Sequence, residues 1–228
     1  MRVVIAFPFY GVFGVIYAAL AVLPFFMFSF VDVLRSVGMH PLAALLLGSS
    51  VTFLSLATSP INVVVHTLSR RQYVPVVDYV VVFGMPIPTP RIVFQEERSY
   101  IAVNVGGAAV PLAVATYLAA HVFSPALLAA VAVASILIYA VSRVVPNVGV
   151  VTPALAPPVI AALSALIAGG GPVATYITAV YGTIIGADVL NMKKVLRHRP
   201  PFVSIGGAGV FDGIFLSGVL AVLLSRLF

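Results

Sequence analysis

Long uncharged apolar runs alternate along this chain with short polar connectors. The first run covers Val3–Val31 and gives way at Asp32 to a connector that holds Arg35 and ends at His40. About 20 consecutive apolar residues suffice for a helix to cross the hydrocarbon core of a bilayer. The runs therefore predict spans at Val3–Phe28, Pro41–Val65, Ile101–Phe123, Leu127–Val145, Val159–Ala168, Pro172–Met192 and Ile205–Leu227. The expected fold is an all-α polytopic membrane protein of about seven transmembrane helices, one integral membrane domain over residues 1–228. Ala19-Leu20-Ala21 has the form of a signal-peptide cleavage site, but the apolar run continues to Phe30 and is too long for a signal core, so the first span is expected to be retained. The second run is broken near its end by Ser59-Pro60-Ile61-Asn62, which leaves a full span and a re-entrant segment both open. Ser49, Ser50, Asn62 and, on the third run, Asn104 are expected to form hydrogen bonds between helices.

One long polar stretch, residues 66–100, interrupts the pattern between the second and third spans. Within it Tyr73–Phe83 and Arg91–Val103 are rich in Val, Ile, Tyr and Phe, separated by the proline-rich Gly84–Pro90. That predicts a β-hairpin-like loop with its turn at the prolines. The hairpin is expected to be a structural loop or, alternatively, an edge strand that pairs with an extended partner peptide.

Composition sharpens this picture. The chain is 62% hydrophobic and 8% charged, with a mean hydropathy of +1.18, whereas a soluble domain carries about 25% charged residues. The net charge of +6 does not indicate nucleic acid, because the basic residues gather in the connectors. With seven spans, one membrane side carries ten of the twelve Lys and Arg residues and the other only Arg35 and Arg226. This places the N-terminus and the connector after the sixth span in the cytoplasm and the C-terminus outside. Cysteine is absent, so disulfides, thiolate nucleophiles and iron–sulfur clusters are excluded. The four histidines show no metal-ligand spacing, and neither a metal nor another cofactor is expected.

The candidate chemistry lies in Tyr181–Leu216. Asp188 and Asp212 are lone carboxylates in apolar runs, on either side of a basic connector with Lys193, Lys194, Arg197 and Arg199. An ionisable residue inside a membrane span is costly and points to function. On a helix, Asp188 lies about 7.5 Å deeper than Lys193. Consecutive antiparallel helices bring Asp212 back to a similar depth. Two facing carboxylates can share a proton, so that one acts as general base on water while the other donates to a carbonyl oxygen. Gly186, Gly206, Gly207, Gly209 and Gly213 flank them. These glycines either admit a substrate closely or serve as helix-packing positions. A serine hydrolase is not favoured: Ser217 has no histidine expected near it.

Four segments, Ala102–Gly107 (AVNVGG), Pro153–Pro158 (PALAPP), Gly186–Asp188 (GAD) and Ser204–Gly213 (SIGGAGVFDG), resemble a prokaryotic membrane family known as domain of unknown function 1614, from about Gly48 onward. That resemblance implies no activity. The chain also resembles, more distantly, intramembrane aspartyl proteases of the presenilin and signal-peptide-peptidase type. This resemblance implies that Asp188 and Asp212 are a catalytic dyad and that Pro153, Ala154 and Leu155 form the substrate-binding Pro-Ala-Leu element. The sequence departs from that pattern in three ways. Asp188 follows Ala187 rather than a tyrosine, Val210 and Phe211 separate Gly209 from Asp212, and the Pro-Ala-Leu element precedes the aspartates.

Three functional expectations follow. The first is an intramembrane aspartyl protease acting on transmembrane or membrane-associated peptides. The second is a proton- or cation-coupled transporter or channel using the same aspartates. The third is a non-catalytic membrane scaffold subunit. Membrane lipid is the common partner, and the oligomeric state is left open.

Overall fold

The computed structural model describes residues 3–5, 24, 27–146, 148–207 and 213–227. Most of the first expected span, Val3–Phe28, lies outside the described residues, as do Gly209 and Asp212.

A short helix, α1 (27–36), leads to α2 (Pro41–Thr58). Helix α2 starts where it does because Pro41 fits the first helical position and the His40 ring accepts the Leu42 N–H at 3.3 Å. Its buried residues are Ala44, Gly48, Thr52 and Ser55, a stripe at helical spacing, while Leu42, Leu46, Phe53 and Leu54 are exposed. Small and polar residues thus face the protein and large apolar residues face outward. This inverts the amphipathic pattern of a water-soluble helix and suits a helix that packs closely inside a bilayer.

After Ser59 and Pro60 the chain enters strand β2 (Ile61–Val82), which pairs antiparallel with β3 (Met85–Asn104). The short β1 (Val3–Ile5) joins β2, and β6 (Phe202–Ile205) joins β3 in parallel, giving the order β1-β2-β3-β6. A π-helical turn, Val105–Ala109, then leads into α3 (Val110–Val122), and α4 (Pro125–Val141) follows, capped by the Ser124 hydroxyl at the Leu127 N–H. Beyond α4 a second sheet pairs β4 (Arg143–Val145) with β5 (Gly149–Val151). Next come α5 (Ala156–Ala165), α6 (Pro172–Thr183), a π-helical stretch Ile184–Val189, α7 (Met192–Arg197), β6 and α8 (Gly213–Leu224).

The helices close around Phe30, Leu118, Tyr176, Ile177, Ile214 and Val219. Phe30 meets the Tyr176 ring edge-on at 5.3 Å, and the Tyr176 hydroxyl donates to the Pro111 carbonyl at 3.4 Å. Helices α6 and α8 pack side by side, with the Thr183 hydroxyl donating to Ser217 at 3.0 Å.

The expectation of an all-α protein with about seven spans is overturned. Among the described residues three helical segments are long and apolar enough to cross a membrane: Pro41–Thr58, Val105–Val122 and Pro172–Arg197. The other apolar helices, Pro125–Val141, Ala156–Ala168 and Gly213–Leu227, are shorter. The physical reason is that several apolar runs are rich in β-branched residues and are partly strand. Ile61–Val65 and Ile101–Asn104 belong to the large sheet, the expected fourth span stops at Val141 and continues as β4, and Ile205 closes β6. Proline and glycine cut the remaining runs short. The ten-to-two division of basic residues presupposed seven spans and loses its basis with them. The hairpin is present and longer than expected, but its turn is at Phe83-Gly84, and Pro86, Pro88 and Pro90 lie within β3.

Candidate functional site

Asp188 sits in the π-helical stretch Ile184–Val189, where the helix widens and main-chain carbonyls leave their usual partners. Asn191 compensates. Its buried side-chain amide donates to the Gly186 carbonyl at 3.2 Å and to the Ala187 carbonyl at 3.0 Å. Gly186 makes the fit against α4 possible, since a Cβ there would lie 2.5 Å from the Ser135 carbonyl oxygen. Below the wide turn Lys194 places its ammonium 4.3 Å from the centre of the Tyr139 ring, a cation–π contact that ties α7 to α4.

The Asp188 carboxylate is half-buried and accepts the Gly206 N–H at 3.2 Å. Gly206 follows β6 and has φ +87°, a conformation that disfavours a side chain, and Ala108 occupies the space a Cβ would need. Strand β6 is held in turn by a buried amide cluster. Ser204 donates to the Asn62 side-chain oxygen at 2.6 Å, and Asn104 donates to the same oxygen at 3.2 Å and to the Ser59 carbonyl at 2.6 Å. The Asn104 oxygen accepts the Gly107 N–H at 2.6 Å. Asn62 and Asn104, expected to bond between helices, instead lock β2, β3, β6 and the start of the α3 span together.

Beside Asp188 opens a cavity of about 460 Å³. One wall is β6, with Val203, Ser204 and Ile205; another is the β4–β5 hairpin, with Val144 and Val150. The hairpin is fixed by the Ser142 hydroxyl at the C-terminus of α4, which lies 2.7 Å from the Thr152 hydroxyl. Much of the lining is therefore extended backbone rather than helix surface.

The expected site residues divide accordingly. Asp188, Gly207, Gly213, Pro153 and Ala154 line this cavity. Gly213 directly follows Asp212 in the sequence, and Asp212 and Gly209 are outside the described residues. Gly206 serves the cavity through its N–H. Gly186 packs against α4, and Leu155 is exposed just before α5. Sequence reasoning missed Asn191, the Asn62–Asn104–Ser204 cluster and the β4–β5 wall. Asn191 did carry a signal, a lone amide three residues after Asp188 in an apolar segment. Among the described residues no group of three His, Asp or Glu side chains gathers to hold a metal ion.

The family model described as a protein of unknown function (DUF1614) matches residues 56–224. That range takes in β2, β3, the Asp188 stretch and the whole of α8. No curated protein and no solved structure matches the chain. The resemblance to aspartyl proteases finds no support in these comparisons.

Proposed function

We propose, for a chain that belongs to the DUF1614 family of proteins of unknown function, that it is a membrane protein hydrolysing peptide bonds at the Asp188 cavity, with Asp212 as the second carboxylate. The observation that carries this reading is the setting of Asp188, a lone carboxylate on a helix long enough to cross a membrane, beside a cavity walled by extended strands. Strands present main-chain donors and acceptors to an extended chain, which suits a peptide better than a bare ion. The outward-facing leucines of α2, with Phe53, support the lipid setting.

In the proposed reaction one carboxylate takes a proton from water, and the resulting hydroxide adds to the scissile carbonyl carbon. The other carboxylic acid gives its proton to the carbonyl oxygen. The gem-diol intermediate then collapses with cleavage of the C–N bond: the proton held by the first carboxylate goes to the leaving amine, and one hydroxyl of the diol returns its proton to the second carboxylate. The role of the Gly206 N–H is to fix the rotamer of Asp188 in this site.

The test is proteolysis in reconstituted liposomes against a panel of single-span peptides. Asp188→Asn and Asp212→Asn are each expected to lower cleavage by about 10²–10⁴-fold, with unchanged assembly in the membrane. Cleavage that persists in Asp188→Asn would sink the reading.

Transport of protons or cations is the second reading, and one observation favours it. The hydroxyls of Thr175 and Thr178 are buried without a hydrogen-bond partner among the described residues, on the helix that continues to Asp188. Flux across the same liposomes, lost in Asp188→Asn without any peptide cleavage, would select it.

A further inference from the structure

The β2–β3 hairpin continues far beyond the sheet it belongs to. Among the described residues β1 pairs only with Ile61–Val63 and β6 only with Tyr100–Val103, so from Leu68 to Val82 the ladder is two-stranded. Fifteen residues in extended conformation make an arm of about 50 Å. Its inner part is polar: Ser69 bonds Glu96, and Arg98 pairs with Glu96 at 2.8 Å. In its outer part, Tyr73–Phe94, the charged residues are Asp78 and Arg91, and they pair with each other at 3.5 Å.

The register sorts this outer part into two faces. Tyr73, Val77, Tyr79, Val81, Ile92 and Phe94 share one face, together with every proline of the arm. That face is free of charge. Asp78, Thr89 and Arg91 lie on the other, among Val76, Val80, Met85, Ile87 and Val93, so the two faces differ in charge and in proline rather than in apolar content. At the apex Phe83 is 98% exposed and has φ +51°, an unusual backbone for a bulky residue, followed by Gly84 at φ +80°. This primed type of hairpin turn suits the pair Asn-Gly. Here it holds an aromatic ring out at the tip instead.

The prolines supply an independent observation. A proline fits a ladder only where its missing N–H would face away from the partner strand. Pro86, Pro88 and Pro90 alternate along β3, so the outer edge of β3 presents no N–H donor over this stretch. That edge cannot accept another strand as a full ladder. It is also the edge for which an apolar surrounding is least costly, since it leaves only carbonyls unmet where an ordinary edge leaves N–H donors unmet as well.

Both ends of the hairpin are anchored at segments long and apolar enough to span a membrane. Ser59 and Pro60 alone separate it from Pro41–Thr58, and it runs directly into Val105–Val122. We propose that the outer half of this arm docks on the lipid surface, its proline-bearing face against the bilayer, Phe83 inserted at the apex and the Asp78–Arg91 pair turned to water. Aromatic and aliphatic side chains with a flanking charged band are the composition that settles at this depth. Of the outward β2 donors opposite these prolines, the Tyr79 N–H is met by the Asp78 carboxylate at 3.0 Å, and those of Val77 and Val81 meet headgroup oxygens there. The inference rests on the membrane setting of the proposed function, though not on its chemistry.

The chain contains no tryptophan, so a single introduced one reports alone. Phe83→Trp, with Val81→Trp as a second reporter should the apex not tolerate the indole, is reconstituted in phosphatidylcholine–phosphatidylglycerol vesicles. Brominated phosphatidylcholine and aqueous iodide serve as quenchers. The expected result is a blue-shifted emission, loss of emission with the brominated lipid, and shielding from iodide. Quenching by iodide without quenching by the brominated lipid would overturn the proposal. Shielding from both would also overturn it and would assign the face to a second copy of the chain. Alkaline carbonate extraction of the same vesicles separates the two readings. A protein that stays in the membrane with an iodide-accessible tip refutes the docking alone, whereas one released by carbonate refutes the membrane setting itself.

Discussion

Asn191 does for the Asp188 stretch what the widened helix cannot do for itself. Its amide meets the carbonyls of Gly186 and Ala187, both removed from solvent. Leaving such groups unmet costs about 1–3 kcal/mol. Asn191→Ala is therefore expected to lower stability by about that much and to reduce turnover at the cavity more than substrate affinity, because it loosens the carboxylate's support. Thermal melting in detergent and a comparison of kcat with KM check both parts; an unchanged melting temperature would remove Asn191 from this role. At this scale the sequence was informative where a residue stood alone in its chemistry. Asp188 is legible as the one acid of its apolar run, and the structure places it at a cavity. The importance of Asn191 was equally visible in principle, but an amide in an apolar run reads by default as a packing contact between helices. Only the wide turn gives it another task.

Elements were less legible than residues. Valine, isoleucine and threonine fill both helices and strands in this chain, and a short apolar run has no period that separates a buried strand from a buried helix. Neither glycine nor proline punctuates the change after α4, which passes into β4 through Ser142 as a single capping residue. The prolines misled in a different way. Read as punctuation, Gly84–Pro90 is a turn. Read with their spacing of two, the same prolines mark the outward positions of a strand, and that alternation was present in the sequence throughout. Strand β6 shows why the distinction matters for the site. It is not the beginning of a helix, and so it delivers Gly206 to Asp188 and Ser204 to Asn62 from one short extended segment.

For the whole molecule, the structure divides labour between a helical body and an arm. The body holds the cavity and the buried cluster at the root of the sheet, while the arm beyond Leu68 pairs with nothing but itself among the described residues. Replacing residues 69–98 by a two-residue Asn-Gly turn is expected to leave the thermal transition of the body unchanged and to abolish whatever depends on the arm's reach. Circular dichroism melting in detergent tests the first expectation; a large fall in the transition would show that the arm is part of the folding unit. A membrane setting is what composition predicts, because 62% hydrophobic residues cannot all be hidden in a body of this size, and three segments among the described residues are long and apolar enough to cross a bilayer. The number of crossings was not, because it depends on where helix yields to strand.

The wide turn at Ile184–Val189 has a consequence for how relatives of this chain should be compared. A π-turn closes over five residues what an α-turn closes over four, so the chain here carries more residues than a regular helix of the same reach. A family member with regular winding at this place would show a gap of one position in alignment, with Thr183 and Lys194 still matched on either side. Such a gap would look trivial by length. It would mark the loss of the pocketed acid's seat, and would sort the family into members that keep the seat the proposed chemistry needs and members that lack it.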